Sequence, residues 1–252
     1  MIQVSNVTKR YGQFVAVDQA CAEIRKGKIT SLIGPNGAGK STLMSIISRL
    51  AAKDAGEVRI DGVEIGAWKS DLLAQKIAIL KQTNHLSLRL SVRDLVSFGR
   101  FPYSQGRLTA EDIDHVDRAI DYMNLKDLEE KYLDQLSGGE RQRAFVAMVI
   151  AQDTEYVLLD EPLNNLDMKH SVQIMKVLRN LVDDLGKTVV LVLHDINFAS
   201  CYSDDVIAMR NGRIVSHGPV CDIIASDVLR DVYEMDIRIE EVDRQKVCVY
   251  FW

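Results

Sequence analysis

The nine residues Gly34-Pro35-Asn36-Gly37-Ala38-Gly39-Lys40-Ser41-Thr42 constrain this chain more than any other stretch. They match the pattern G-x-x-x-x-G-K-[ST], whose four fixed positions occur by accident in about 1% of chains this long. The flanks suit a phosphate-binding P-loop: Lys28 to Ile33 reads as a short buried strand, and Leu43 to Leu50 continues as a helix. Glycines let consecutive backbone N–H groups converge on one point, and the helix start adds unpaired N–H groups and a positive dipole end. The residues from Gly34 to Thr42 are therefore expected to hold a nucleoside triphosphate. Lys40 would reach the β- and γ-phosphates, and the Ser41 hydroxyl would hold Mg²⁺.

Bulk properties exclude several classes. With 252 residues the chain can bury a full core, as one large domain or a domain with a subdomain. A net charge of −5 without a long basic run gives no expectation of a nucleic-acid partner. No apolar stretch approaches the ~20 residues of a membrane helix, and Met1-Ile2-Gln3-Val4 does not read as a signal peptide. Cys21, Cys201, Cys221 and Cys248 are scattered, as reduced structural thiols are. The five histidines form no H-E-x-x-H pair, so a histidine metal site is not expected.

Along the chain, Ile2 to Lys9 and Ala16 to Ile24 read as antiparallel strands. Tyr11 lies between them, and its ring suits either stacking on an adenine base or packing in a turn. A strand from Gly56 runs into the Asp61-Gly62 turn, and Ile77 to Leu80 is a short strand followed by Gln82. That glutamine is either an ordinary loop residue or an amide aimed at metal or water. From about Ser91 to Leu136 the periodicity is helical. Thr109 should cap a helix whose acidic positions Glu111, Asp112, Asp114 and Asp117 read as a solvated face.

Two later stretches carry chemistry. In Leu136-Ser137-Gly138-Gly139-Glu140, the Ser137 and Glu140 spacing is that of a capping box, with two glycines in the first turn. Weakening a helix start that way makes sense where a ligand must approach the backbone, so Ser137 either caps or donates to a phosphate. The second is Tyr156-Val157-Leu158-Leu159-Asp160-Glu161-Pro162, a buried strand ending in two carboxylates. Such a pair is costly without a cation or proton chemistry to use it. Asp160 fits a Mg²⁺ partner and Glu161 a general base for an attacking water. A further buried strand, Thr188 to Leu193, ends in His194, expected at the same sheet edge as the P-loop and Glu161. The tail after Val206 reads as sheet edge and cover.

With these residues in hand, the sequence resembles the ATP-binding subunits of ABC transporters from Tyr11 through His194 and into the tail. The P-loop, Gln82, the Leu136–Glu140 signature, the Leu159-Asp160-Glu161-Pro162 run, Asp167 and His194 occur in that family's order. The loop ending in Asp167 departs mildly, reading Asn-Asn-Leu-Asp where Ser-Ala-Leu-Asp is more usual. The resemblance implies an α/β fold: a P-loop NTPase core with a RecA-like mixed sheet flanked by helices, an antiparallel β subdomain and a helical insertion subdomain. As one domain over 1–252, it would place the core with its β subdomain at 1–90 and 155–252, and the helical subdomain at about 91–154.

It also implies a head-to-tail dimer with a second copy around two ATP molecules. Tyr11 would stack adenine, and Lys40, Ser41 and Thr42 would hold phosphates and Mg²⁺. Gln82 would sense metal and water, Asp160 would support Mg²⁺, Glu161 would polarise water and His194 would contact the γ-phosphate. The signature residues Leu136 to Glu140 would act in trans, with Asp167 at the interface. Separate integral-membrane permease subunits would dock near 83–103, placing the chain at the cytoplasmic face of a bacterial plasma membrane, with a substrate-binding protein engaged indirectly. The run Leu90 to Tyr103 and the stretch Leu166 to His170 resemble iron-siderophore, haem and vitamin B12 uptake ATPases, the siderophore members most of all. Competing expectations are an ABC ATPase for vitamin B12, haem or another cargo, and a soluble ABC ATPase of DNA repair or translation. The latter usually carry a coiled-coil insertion or tandem ATPase domains, whereas this chain has one motif set and no heptad run. Intact Lys40, Glu161 and His194 argue against a non-hydrolysing module.

Overall fold

A computed structural model describes residues 1–81, 88–164 and 166–251. Gln82, the beginning of the expected docking segment (83–87) and Asn165 lie outside the described residues. The chain divides into two compact units, one made of 1–68 with 188–252 and the other of 69–187.

The first unit holds, among the described residues, an antiparallel sheet, strands of a mostly parallel sheet, and the small antiparallel pair Arg238–Val242 and Gln245–Val249 near its end. Ile2–Tyr11 and Phe14–Ile24 form an antiparallel hairpin whose tip pairs Tyr11 with Phe14. Ala55–Ile60 pairs antiparallel with the first strand and then turns at Asp61-Gly62 into Val63–Glu64. One face of this antiparallel sheet carries the apolar side chains Val4, Val17, Ala22, Val58 and Ile60 inward, with charged residues between them. In the mostly parallel sheet, Ile29–Ile33 lies between two parallel neighbours, Thr188–Val192 and Asp205–Arg210. Arg213–Pro219 then pairs antiparallel with Asp205–Arg210. Every residue of Ile29–Ile33 and of Thr188–Val192 is buried, the polar Thr30, Ser31 and Thr188 included, so neither strand shows the inside–outside alternation of a half-exposed one.

In the second unit, Ile77–Leu80 and Tyr156–Asp160 form a parallel pair. Between them in sequence come the helices Val92–Phe98, Ala110–Tyr122 and Gly138–Ala151, and Met168–Asp183 follows. Three of these helices start in capping boxes, Ser91 with Asp94, Thr109 with Asp112, and Ser137 with Glu140. Each box satisfies backbone donors that a helix start leaves open. The expectation of a wholly solvated acidic face on Ala110–Tyr122 is corrected here. Asp112 is only 3% exposed and pairs at 2.9 Å with Nε of Arg100, itself 4% exposed, while Asp117 accepts from Arg93 at 2.6 Å. Arg100 comes from a different helix turn, so one-dimensional spacing could not reveal the pair.

Parallel strands, flanking helices and an antiparallel sheet make the chain an α/β protein, as expected. Among the described residues, no helix is long and apolar enough to cross a membrane.

Candidate functional site

In the first unit the P-loop leaves the buried strand Ile29–Ile33 and runs directly into the helix Lys40–Ile47. That helix has no acidic side chain in its first turn, so its own sequence does not offset its positive end. Gly39 stands at φ 98°, and a Cβ there would lie 2.3 Å from the Ala16 carbonyl oxygen. Glycine is what lets the loop seat against the hairpin strand. Lys40 is 5% exposed, and its Nζ donates to the carbonyls of Gly34 at 2.7 Å and Pro35 at 3.0 Å. The ammonium is thus held inside the loop it belongs to, bonded to neutral carbonyls that an anionic phosphate can replace with a stronger, charge-assisted partner. Ser41 and Thr42, half-buried, occupy the first helical turn.

Tyr11 stands at the tip of the hairpin whose Ala16 touches Gly39. Its ring is 54% exposed, with the Lys9 ammonium 5.3 Å from its centroid, so a face is open to a stacking base. His194 is exposed just beyond Thr188–Val192. Leu32 pairs with Val192, and the Leu193 N–H donates to the Leu32 carbonyl at 3.1 Å. The His194 turn and the P-loop therefore leave adjacent parallel strands at the same edge.

Sequence reasoning missed one residue in this unit. The Gly34 N–H donates at 3.0 Å to the hydroxyl of Tyr233, the last residue of the helix Ser226–Tyr233 in the tail. Burial pushes the Tyr233 phenol far above its ordinary value, so it stays neutral. No local pattern marks this tyrosine, because the contact spans 199 residues.

In the second unit the two carboxylates close the strand Tyr156–Asp160, and both are buried. Glu161 sits at φ 54°, a left-handed backbone that costs a non-glycine residue about 1–3 kcal/mol. The turn after it is tied down twice. Asn164 bonds Glu161 through its side-chain amide to the carboxylate and through its N–H to the Glu161 carbonyl at 3.2 Å, and Gln142 donates to the Pro162 carbonyl at 3.0 Å. Gln142 belongs to the helix that Ser137 starts, so signature and carboxylate turn are mechanically joined. Asn164, three residues past Glu161 in a turn, is the one supporting residue whose spacing could have been noticed.

Ser137 is exposed and works as a cap: its hydroxyl donates to the Glu140 carboxylate at 2.8 Å and accepts from the Glu140 N–H at 3.3 Å. The hydrogen bonds from the Ser137 backbone and side chain hold the Glu140 carboxyl below its usual range. Leu136 is half-buried, Gly138 is exposed, and Gly139 faces Leu166 and His170, 3.4 and 3.7 Å from where its Cβ would stand. Asp167, exposed, caps the helix Met168–Asp183 by accepting from the His170 N–H at 2.8 Å, a bond that lowers its carboxyl. Within the expected docking segment, Leu88 and Phe101 are 64% and 57% exposed, and Phe98 and Tyr103 are exposed too. The P-loop, the Tyr11 hairpin and His194 are thus gathered in one unit, and Asp160, Glu161, the signature and Asp167 in the other. Gln82 lies outside the described residues.

Residues 17–164 match the family model described as ABC transporter. The chain is 62% identical to the petrobactin import ATP-binding protein YclP of Bacillus subtilis (strain 168), over 100% of both chains. It is 49% identical to the petrobactin import ATP-binding protein FatE of Bacillus anthracis, over 99% of this chain and 100% of that one. Among solved structures, the dimeric MJ0796, a bacterial ABC transporter cassette, superposes with a TM-score of 0.79 at 31% identity, covering 87% of this chain and 99% of that one.

Proposed function

This chain belongs to the ABC transporter family as an ATP-hydrolysing subunit, and from that premise we propose that it energises a membrane importer of ferric siderophores, with petrobactin-type chelates as its cargo. The observation that carries this reading is the similarity to petrobactin-import subunits over at least 99% of the chain.

The geometry within each unit supports a division of labour that we propose for the site residues. Tyr11 stacks the adenine, and the N–H groups from Gly34 to Thr42 cradle the phosphates. Lys40 leaves its own carbonyls for the β- and γ-oxygens. Glu161, locked by Asn164, takes the proton of the attacking water, and His194 contacts the γ-phosphate with Gln82 as sensor. Catalysis of this kind is mainly positioning and charge stabilisation, which suits a base fixed by a strained turn. The Ser41 hydroxyl and the Asp160 carboxylate are hard oxygen donors of the type Mg²⁺ accepts from protein, the rest coming from phosphate and water. Held there, Mg²⁺ would supply positive charge that offsets the phosphates' negative charge.

Two copies assemble head to tail, each offering its signature turn, exposed at Ser137 and Gly138, to the ATP on the other's P-loop, with Asp167 at the interface. The exposed side chains Leu88, Phe98, Phe101 and Tyr103 support permease docking near 83–103. The chain sits at the cytoplasmic face of a bacterial plasma membrane through those permeases, which a substrate-binding protein loads from outside. We retain one domain over 1–252, with a helical subdomain at about 91–154.

The test is uptake of radiolabelled ferric petrobactin, ferric hydroxamate, ferric enterobactin, haem and vitamin B12 by source cells carrying Glu161→Gln. Selective loss of petrobactin uptake supports the proposal. Unchanged uptake of every ferric siderophore in cells lacking redundant importers refutes it, and loss of haem or vitamin B12 uptake instead reassigns the cargo.

A further inference from the structure

The tail reads from sequence as cover, yet one of its side chains bonds directly to the P-loop backbone. Gly34 is a residue with little to hold it. At φ 140° only glycine is comfortable, and a Cβ would fall 2.0 Å from the Met209 carbonyl oxygen, so no side chain can lock the position. Its two peptide groups are fixed by the side chains of other residues instead. On one side the Gly34 N–H donates to Tyr233 Oη at 3.0 Å; on the other the Gly34 carbonyl accepts from Lys40 Nζ at 2.7 Å. When Lys40 turns to phosphate, the second bond is released and the tyrosine bond remains.

The tyrosine is itself well anchored. Its helix buries Leu229 and Val232, and Ser226 Oγ donates to the Ile237 carbonyl at 2.7 Å. Arg210 holds the far end, donating to the Asp231 carbonyl at 2.7 Å and pairing with Glu234. Arg210 closes the strand Asp205–Arg210, which runs parallel to the strand feeding the P-loop. The chemistry of the side chain also fits its place. A carboxylate could accept the same N–H, but it would set a negative charge beside the phosphates; a phenol accepts it without charge.

We propose that Tyr233 is a positioning residue of the nucleotide site, whose hydroxyl holds the Gly34 peptide in the conformation that receives ATP. The proposal rests on the P-loop being the ATP site and is independent of the cargo. Without the hydroxyl, the binding-competent fraction of the glycine peptide falls, and nucleotide affinity falls with it. One neutral hydrogen bond corresponds to about a 5- to 10-fold change in that equilibrium.

The experiment is equilibrium binding of ATP and ADP to the purified full-length chain, wild type against Tyr233→Phe, with thermal melts of both. Phe keeps the ring and its packing and removes only the acceptor. The expected result is a ~5- to 10-fold rise in Kd for ATP and ADP alike, because the defect lies in the loop and not at the γ-phosphate. Arg210→Gln, which loosens the same helix end without touching the phenol, should raise both Kd values in the same direction. A lower Tm in Tyr233→Phe with both affinities unchanged would make the tail a cover and overturn the proposal. So would reduced turnover at unchanged affinity. Failure of the wild-type chain to bind ATP would instead refute the P-loop assignment beneath it.

Discussion

Gly39→Ala probes how the P-loop is seated. The new Cβ would meet the Ala16 carbonyl at 2.3 Å, and real contacts reach 3.0 Å, so loop and hairpin must part by about 0.7 Å, the difference of those two distances. Two costs combine. Alanine in a left-handed conformation at φ 98° costs about 1–2 kcal/mol, and overpacking against a backbone atom costs about 1–3 kcal/mol. Together they amount to ~2–5 kcal/mol, a large share of the stability of an ordinary domain. At about 2–4 °C per kcal/mol for a chain of this size, Tm should drop by ~4–20 °C. Because Lys40 is the next residue, ATP binding by folded protein should weaken as well. Gly37→Ala is the control: φ is 78° but nothing lies within 4 Å of the new Cβ, so only the conformational cost of about 1–2 kcal/mol applies. Differential scanning calorimetry and ATP titration of both variants measure the gap. Equal melting temperatures for the two, or a Gly39→Ala protein that melts within ~2 °C of wild type and binds ATP normally, would refute the packing argument.

Three further outcomes are expected. Glu161→Gln should lower ATP turnover by about 10²-fold or more, in the range of a lost general base, while ATP stays bound; near-normal turnover of the purified variant removes Glu161 from that role. Ser137→Arg should abolish hydrolysis and leave ATP affinity of the monomeric chain intact, since the signature serves the other copy's nucleotide; a matching loss of monomer affinity would mean it acts in cis. Asp112→Asn removes the charge partner of the buried Arg100 guanidinium, which keeps its bond to the Ala151 carbonyl, and should cost up to about 3–5 kcal/mol in urea unfolding at pH 7. Burial draws the Asp112 carboxyl upward, but hydrogen bonds from Thr109 and Arg100 outweigh it and set it below the usual value. A depressed carboxylate stabilises the fold above its unfolded value, near 4, and that contribution fades as pH falls through the lower folded value. Asp112→Asn should therefore flatten the acid limb of stability against pH, and an unchanged limb would contradict the assignment.

Local order in the chain was enough to identify the P-loop, the signature helix with its Ser137–Glu140 cap, and the strand ending in Asp160 and Glu161. Each is a contiguous run in which periodicity, capping chemistry and motif coincide, so its structure follows from neighbours within a few residues. The strands Ile77–Leu80 and Tyr156–Asp160 could likewise be read from the residues alone. Other features needed the folded chain. Asp112 looked like surface charge until Arg100 was packed against it, and Asn164, whose spacing from Glu161 is visible in the sequence, shows its role once its amide meets the carboxylate. Lys40 is a phosphate ligand by motif, but its resting place on the Gly34 and Pro35 carbonyls comes from the loop's curvature. Most of all, Tyr233 reaches Gly34 across 199 residues because a tail helix lands beside the strand that feeds the P-loop. Sequence alone determined which chemical groups the chain carries and which short elements they start or end. Tertiary structure decided which of those groups share a low-dielectric site, because hydrogen bonds and ion pairs act over a few ångströms in space regardless of distance along the chain.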